Sequence, residues 1–137
     1  MNNRIPISFE FFPPNTPVGD EKLITQVVPD LAALQPQYFS VTYGAGGSTR
    51  DKTLKTVQAI AAAGHEAAPH LSCVGSTREG VAQTLATYRA QKIHRLVALR
   101  GDLPSGTAVA GEFRHAAELV RFIREQQGPD WHIEVAA

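Results

Sequence analysis

The chain has 137 residues, of which 43% are hydrophobic and 19% charged, a composition that supplies one apolar core and excludes an intrinsically disordered protein. Its 13 Lys and Arg balance its 13 Asp and Glu, which excludes the cationic surface that nucleic acid or anionic lipid requires and is compatible with a homo-oligomer. A single cysteine, Cys73, excludes an internal disulfide and is typical of a reducing compartment such as the cytoplasm.

Five short segments of β-strand character alternate with longer segments of helical spacing. They span residues 5–11, 38–43, 67–73, 95–100 and 131–137. This alternation predicts a parallel α/β fold in which a helix follows each of the first four strands. The first apolar segment is too short for a signal peptide or a membrane span, so we expect no contact with a membrane.

The helix predicted after the first strand is interrupted by a proline. Its apolar face consists of Leu23, Val27, Leu31 and Leu34. Pro29 lies in the middle of this segment and lacks an amide hydrogen, so we expect a kink or two short helices.

Three further helices show one apolar face each. The faces consist of Leu54, Val57, Ile60 and Ala61, then Val81, Leu85 and Tyr88, then Phe113, Ala116, Val120 and Ile123. Segments 48–51 and 76–79 each place a hydroxyl three residues before a carboxylate, which predicts capping boxes at two helix starts. Gly64 and Gly128 are predicted to end helices because glycine tolerates positive φ.

Five strands and four helices are compatible with two architectures. One is a complete, doubly wound five-stranded sheet, and the other is the first part of an eight-stranded (β/α) barrel, which normally needs about 250 residues. Polar residues at the predicted strand ends, namely Glu10, Thr42, His70 and Asp102, favour the mouth of a barrel. We therefore expect residues 1–137 to form an incomplete barrel domain.

Glu10 is the first candidate for chemistry because it lies between Phe9 and Phe11 at the end of the first strand. Alternation along a strand predicts that its side chain points to the opposite face from both phenylalanines. Apolar surroundings would raise the pKa of the carboxyl and allow it to act as a general acid near neutral pH. The alternative is an exposed glutamate on an edge strand.

The other strand ends carry weaker signals. The glycine run 44–47 permits close approach of a ligand, but Thr49 stands where a dinucleotide-binding fingerprint needs its third glycine. A lone histidine such as His70 is more often a core residue than a ligand, and the scattered histidines predict no metal site. Arg100 offers donors suited to a phosphate or a carbonyl oxygen, although an ion pair with Asp102 is the simpler interpretation.

Four segments together resemble the methylenetetrahydrofolate reductases in order and spacing. They read ISFEFFPP, SVTYGAGGSTRDKT, AAPHLSCVGST and LVALRGDLP and span nearly the whole chain. The resemblance implies a (β/α)8 TIM barrel that binds FAD without a Rossmann domain and accepts a hydride from NADH or NADPH. It also implies reduction of 5,10-methylenetetrahydrofolate to 5-methyltetrahydrofolate, a step of one-carbon metabolism that feeds methionine synthesis.

The same resemblance assigns roles to individual residues. It makes Glu10 the general acid that assists opening of the folate ring and a contact of the folate substrate. The cofactor contacts that it implies are Thr42, Tyr43, Ala45, His70, Arg100, Gly101, Asp102 and Ala116. Thr42 would lie on the nicotinamide side, and Asp102 would lie near the flavin ring, reach the folate pterin and lower the flavin potential through its negative charge. His115 stands where some members have tyrosine and is not carried over.

Members of the family continue past the position of Ala137 into further barrel strands. We therefore expect the activity of this chain on its own to be low. The alternative is a catalytically inactive barrel fragment that acts only by associating with a complementary half or with itself, since an open sheet edge and uncovered apolar surface favour such pairing.

Overall fold

A computed structural model describes residues 4–43, 47–101 and 111–136, with side chains from 51 onward in the helix that begins at Gly47. Within these ranges the strands are β1 (Ser8–Phe11), β2 (Tyr38–Val41), β3 (Ala67–Ser72), β4 (Arg95–Leu99) and β5 (His132–Val135). The α-helices are α1 (Pro17–Lys22), α2 (Val28–Ala32), α3 (Gly47–Ala62), α4 (Arg78–Ala90) and α5 (Ala116–Gln127). All five predicted strands are confirmed, each shorter than its sequence segment.

The strands form one parallel sheet in the order β1-β2-β3-β4-β5. A doubly wound sheet reverses its strand order at a switch point, whereas the wall of a (β/α) barrel adds each strand beside the last. The sequential order therefore confirms the parallel α/β fold and shows that the doubly wound alternative is wrong.

The register divides the sheet into two unlike faces. One face carries Phe39, Leu71 and Leu96, which belong to the core cluster together with apolar residues of the helices. The opposite face, called the inner face below, carries Glu10 and His70, because residues paired across parallel strands point the same way and neighbours along a strand alternate. The register places Glu10 beside Ser40, and His70 beside Val97.

The predicted apolar faces of the helices are largely confirmed. The fully or almost fully buried residues among them are Val57, Ile60, Val81, Leu85, Tyr88 and Ile123. Two predictions are wrong. Phe113 is buried but precedes α5, which begins at Ala116, and Leu34 follows the end of α2 and is 50% exposed.

The first helical region is broken, as its proline predicts. A π-helical turn, Leu23–Val27, joins α1 to α2, and Pro29 lies in the first turn of α2, where its missing amide hydrogen costs little. None of the helices within the described ranges is long and apolar enough to cross a bilayer.

The start of α4 differs by one residue from its prediction. Thr77, not Ser76, caps the helix by accepting a hydrogen bond from the amide of Gly80 at 3.0 Å. The Ser76 hydroxyl instead donates to the carbonyl of Ser72 at 3.0 Å. The other predicted cap lies at 48–51, where α3 already begins at Gly47 and the side chains of 47–50 are outside the described residues. Gly64 and Gly128 both have positive φ and follow helices, as predicted.

Candidate functional site

The carboxyl ends of β1 and β3 bring two predicted site residues into contact. Glu10 Oε1 lies 3.0 Å from His70 Nε2, although β2 runs between their strands. Strands are about 4.8 Å apart, so the two side chains must reach over β2. They can do so because β2 presents the small side chain of Ser40 at the level of Glu10.

The surroundings of Glu10 differ from their prediction. Its side chain points away from Phe9 and Phe11, whose rings stack on Phe39 at 6.1 and 5.5 Å on the helix-covered face. The carboxylate itself is 56% exposed and contacts an imidazole. The expectation of apolar surroundings is therefore wrong, because the neighbouring aromatic rings belong to the other face of the sheet.

His70 is the buried member of the pair, with a side chain that is only 9% exposed. Burial lowers the pKa of His70 from its ordinary value, and the nearby Glu10 carboxylate opposes that shift only in part. The imidazole therefore gives up its proton more readily than an exposed histidine does. Its Nε2 lies within hydrogen-bond distance of Glu10, yet it has no well-aligned hydrogen bond within the described residues.

Thr42 and Tyr43 follow β2 at the same end of the sheet, and both are half-buried. The amide of Thr42 donates to the carbonyl of Phe11 at 2.9 Å, and its own carbonyl accepts from the Thr53 hydroxyl at 2.7 Å. These bonds fasten the end of β2 to β1 and to α3. Ala45 lies outside the described residues.

Arg100 and Gly101 follow β4, and the backbone there is held tightly against β3. The Arg100 carbonyl accepts from the Ser72 hydroxyl at 3.0 Å and from the amide of Val74 at 3.0 Å, while its side chain is exposed. Gly101 has a φ of +81°, and a Cβ there would lie 2.1 Å from Ser72 Oγ. Only glycine fits this position without a shift of its neighbours. Asp102, and with it the suggested ion pair to Arg100, lies outside the described residues.

Cys73 also contacts this segment. Its thiol is buried and lies 3.5 Å from the Arg100 carbonyl oxygen. Burial raises the pKa of the Cys73 thiol, so the side chain stays protonated and serves as a packing residue.

Ala116 is the first residue of α5 and is half-buried, while His115 before it is exposed and makes no capping bond through its side chain. The chain reaches α5 after passing close to the turn that follows β3. There the Glu112 amide donates to the Ser76 carbonyl at 3.0 Å, and the Glu112 carboxylate contacts the amide of Arg78.

The inner face also holds an ion cluster that the sequence analysis missed. Arg95 contacts Glu134 at 3.0 Å and Glu66 at 3.5 Å, and its guanidinium lies 4.7 Å from the centre of the Tyr38 ring. The only sequence signal was the alternation of polar and apolar residues in β5, which places Glu134 on the same face as His132. Within the described ranges, no group of three or more His, Cys, Asp and Glu side chains is placed to hold a metal ion.

Comparison with known proteins gives the family. A family model described as methylenetetrahydrofolate reductase matches residues 1–137. The chain belongs to the methylenetetrahydrofolate reductase family. It is 40% identical over 138 residues to the 5,10-methylenetetrahydrofolate reductase of Pectobacterium carotovorum and 38% identical to that of Escherichia coli, covering 100% of this chain and 45% of each relative. It is also 38% identical to methylenetetrahydrofolate reductase (NADH) 1 of Arabidopsis thaliana, covering 94% of this chain and 22% of that protein.

The chain thus spans less than half the length of these methylenetetrahydrofolate reductases and corresponds to their N-terminal portion. Membership confirms the resemblance noted in the four segments and identifies the sequential parallel sheet as part of the family's TIM barrel. Among solved structures, Streptococcus suis SuiB aligns with a TM-score of 0.46 and 10% identity, covering 96% of this chain and 50% of that chain. This likeness is too weak to support an argument.

Proposed function

We propose that residues 1–137 supply the N-terminal part of the active site of an FAD-dependent methylenetetrahydrofolate reductase that uses NADH or NADPH. The observation that carries this proposal is the contact between Glu10 and His70 at the carboxyl end of a sequential parallel sheet, in a chain of this family. Ligands of (β/α) barrels bind at that end of the strands. The proposed location is the cytoplasm, supported by the single reduced cysteine.

The residues at this rim fit a flavin. His70 is a buried imidazole at the rim, and Arg100 has an exposed guanidinium suited to a phosphate or carbonyl oxygen. Gly101 has no side chain and would contact the cofactor through its backbone. The remaining proposed cofactor contacts within the described ranges are Thr42, Tyr43 and Ala116. Ala45 and Asp102, which lie outside those ranges, are proposed contacts as well. When bound, FAD would receive a hydride from NADH or NADPH and deliver it to the folate carbon.

Glu10 is the proposed general acid. Its carboxyl is accessible, at 56% exposure, and can therefore reach a substrate that lies over the rim. In this role it donates a proton from Oε to the folate nitrogen whose bond to the one-carbon unit breaks, which makes that nitrogen a better leaving group. His70 contacts the carboxyl from β3, on the same face of the sheet.

The test separates the two half-reactions in the full protein that the gene encodes. We expect Glu10→Gln to retain reduction of the flavin by NADH or NADPH and to slow reoxidation of the reduced flavin by methylenetetrahydrofolate by roughly 10²- to 10⁴-fold, the usual contribution of a general acid. Stopped-flow absorbance of the flavin measures both rates.

Glu125→Gln is the matched control because Glu125 is an exposed carboxylate on α5, away from the rim. It should leave both half-reactions unchanged. Equal slowing of both half-reactions by Glu10→Gln would contradict the acid role. A purified wild-type protein that carries no flavin absorbance would contradict the reductase proposal itself.

A non-catalytic fragment is the second candidate, and exposed apolar side chains at both sheet edges favour it. Ile5 and Ile7 beside β1 are 81% and 40% exposed, and Val135 in β5 is 62% exposed. Such edges favour pairing with another chain. Light scattering on the 137-residue chain tests this candidate, because a compact monomer that binds FAD excludes it.

A further inference from the structure

The exposure of Glu10 makes its contacts decisive for its proposed role. Its side chain is 56% exposed, and the rings of Phe9 and Phe11 lie on the other face of the sheet. The carboxyl is therefore held by the neighbour that it contacts.

His70 is the neighbour in contact. Its Nε2 lies 3.0 Å from Glu10 Oε1, and its ring is buried between β2 and β4 at the same rim. Imidazole is the one side chain whose ordinary titration falls near neutral pH. Two groups this close titrate as a pair, so a proton taken up by the pair belongs to both residues.

We propose that Glu10 and His70 bind one shared proton, and that His70 positions the Glu10 carboxyl and supplies the proton that this carboxyl passes to folate. The inference rests on the proposed function. In the step, the proton moves from the pair through Glu10 Oε to the folate nitrogen, which also takes the electron pair of the breaking carbon–nitrogen bond. The pair is left as a carboxylate beside a neutral imidazole, and the one-carbon unit is left electron-poor, so that reduced FAD, when bound, would supply the hydride that it needs.

His70 is buried and Glu10 is exposed, and this difference gives the two residues different parts in the proton transfer. Burial lowers the pKa of His70, and the Glu10 carboxylate at 3.0 Å opposes that shift only in part, so the pair gives up its proton readily. The exposed carboxyl then provides the path to the substrate. His70 brings a titratable ring nitrogen to the pair, and Glu10 brings access to the rim.

Other charged groups on the inner face are engaged elsewhere. By strand position they are Tyr38 on β2, Glu66 before β3, Arg95 on β4, and His132 and Glu134 on β5. Arg95 contacts Glu66, Glu134 and Tyr38. His132 is exposed on the outer strand, and Arg100 is exposed beyond the end of β4. His70 is thus the titratable partner that the described residues place against Glu10.

The first test measures the protonation of His70 directly and does not depend on enzyme activity. Histidine NMR titration of the flavin-free full protein is compared between wild type, Glu10→Gln and His132→Gln. We expect Glu10→Gln to weaken proton binding at His70 by roughly tenfold, because the carboxylate that stabilises the imidazolium is gone. His132→Gln, a histidine change on the same face, should leave the His70 titration unchanged. An identical His70 titration in wild type and Glu10→Gln overturns the inference.

The second test reads the pH dependence of flavin reoxidation by methylenetetrahydrofolate. In wild type the rate should fall on the alkaline side as the pair loses its proton. His70→Gln should move that fall to lower pH and reduce the rate of this half-reaction at pH 7 by roughly ten- to a hundredfold. An unchanged alkaline limb overturns the inference. If His70→Gln fails to fold or to hold flavin, the NMR comparison on Glu10→Gln decides.

The proposed function and the inference about the Glu10–His70 pair can be refuted separately. A wild-type protein whose reduced flavin is not reoxidised by methylenetetrahydrofolate refutes the proposed function and the catalytic part of this inference. The NMR comparison then still decides whether the pair shares a proton. A working wild type with an unshifted His70→Gln profile refutes the inference alone.

Discussion

Replacing Gly101 with alanine tests how tightly the segment after β4 is held against β3. Gly101 has a φ of +81°, and an added Cβ would lie 2.1 Å from Ser72 Oγ and 3.3 Å from Ser72 Cβ. To admit it, the Ser72 hydroxyl must rotate away and give up its 3.0 Å bond to the Arg100 carbonyl. The substitution therefore combines a backbone cost with the loss of a hydrogen bond.

Both costs can be estimated. A residue with a Cβ costs about 1–2 kcal/mol in the left-handed region, and the lost hydrogen bond costs about 1 kcal/mol. We expect Gly101→Ala to lower the free energy of unfolding by about 2–3 kcal/mol. Gly64→Ala is the matched control, because Gly64 has a φ of +91° and no atom within 4 Å of an added Cβ. It should show the backbone cost alone.

Urea unfolding followed by fluorescence is a suitable assay because Trp131 is the single tryptophan and is buried. Gly101→Ala should be less stable than Gly64→Ala by about 1 kcal/mol, and this difference should disappear in a Ser72→Ala background, where no hydroxyl is displaced. Equal destabilisation by the two glycine substitutions, or a difference that persists without the hydroxyl, would refute this reasoning.

Three further predictions concern single residues. Cys73 should react slowly with a thiol reagent in the folded protein and rapidly in concentrated urea, because burial raises the pKa of its thiol; fast reaction in the native state would contradict the packing. Thr77→Ala should lower the free energy of unfolding by about 1 kcal/mol through loss of the cap on the Gly80 amide, whereas Thr77→Ser should not. Burial lowers the pKa of His70 in the folded state, so the unfolded chain binds more protons and stability should fall as the pH drops below about 6.5. His70→Gln should weaken this pH dependence of stability, measured by urea unfolding at several pH values. An equally steep fall of stability in the variant would show that His70 is not its source.

Periodicity predicted the elements of this fold but not their pairing. The strands and the apolar faces of α3 and α4 follow from the sequence because each repeats a local spacing. Strand order depends on contacts between distant segments, so the sequence is compatible with both a barrel and a doubly wound sheet, and the sequential strand order decides between them. Phe113 shows the limit at a boundary. It continues the spacing of α5 but lies before the helix, where its ring receives the guanidinium of Arg78 at 5.4 Å.

The candidate site shows the same division between local and distant information. Alternation along β1 correctly predicted that Glu10 points away from Phe9 and Phe11. It could not give the partner, because the approach of Glu10 to His70 depends on the small side chain of Ser40 in the strand between them. The apolar setting expected for Glu10 failed for a related reason. Neighbours in a strand sequence lie on opposite faces, so aromatic residues beside a glutamate say little about what surrounds its carboxyl.

The inner face carries two polar clusters, and their positions along the strands separate a structural role from a functional one. Arg95 has a side chain that is 15% exposed, and its guanidinium is matched by Glu134, Glu66 and the face of Tyr38. A buried charge surrounded by its own partners has little capacity left for a ligand, and removing one partner would leave a costly unpaired charge. In the other cluster, His70 is buried with a ring nitrogen that lacks an aligned bond, and Glu10 keeps more than half of its side chain exposed. Arg95 Nε also lacks an aligned hydrogen bond, so position separates the two clusters: Glu10 and His70 lie toward the carboxyl ends of β1 and β3, where ligands of (β/α) barrels bind, whereas Arg95 is the first residue of β4.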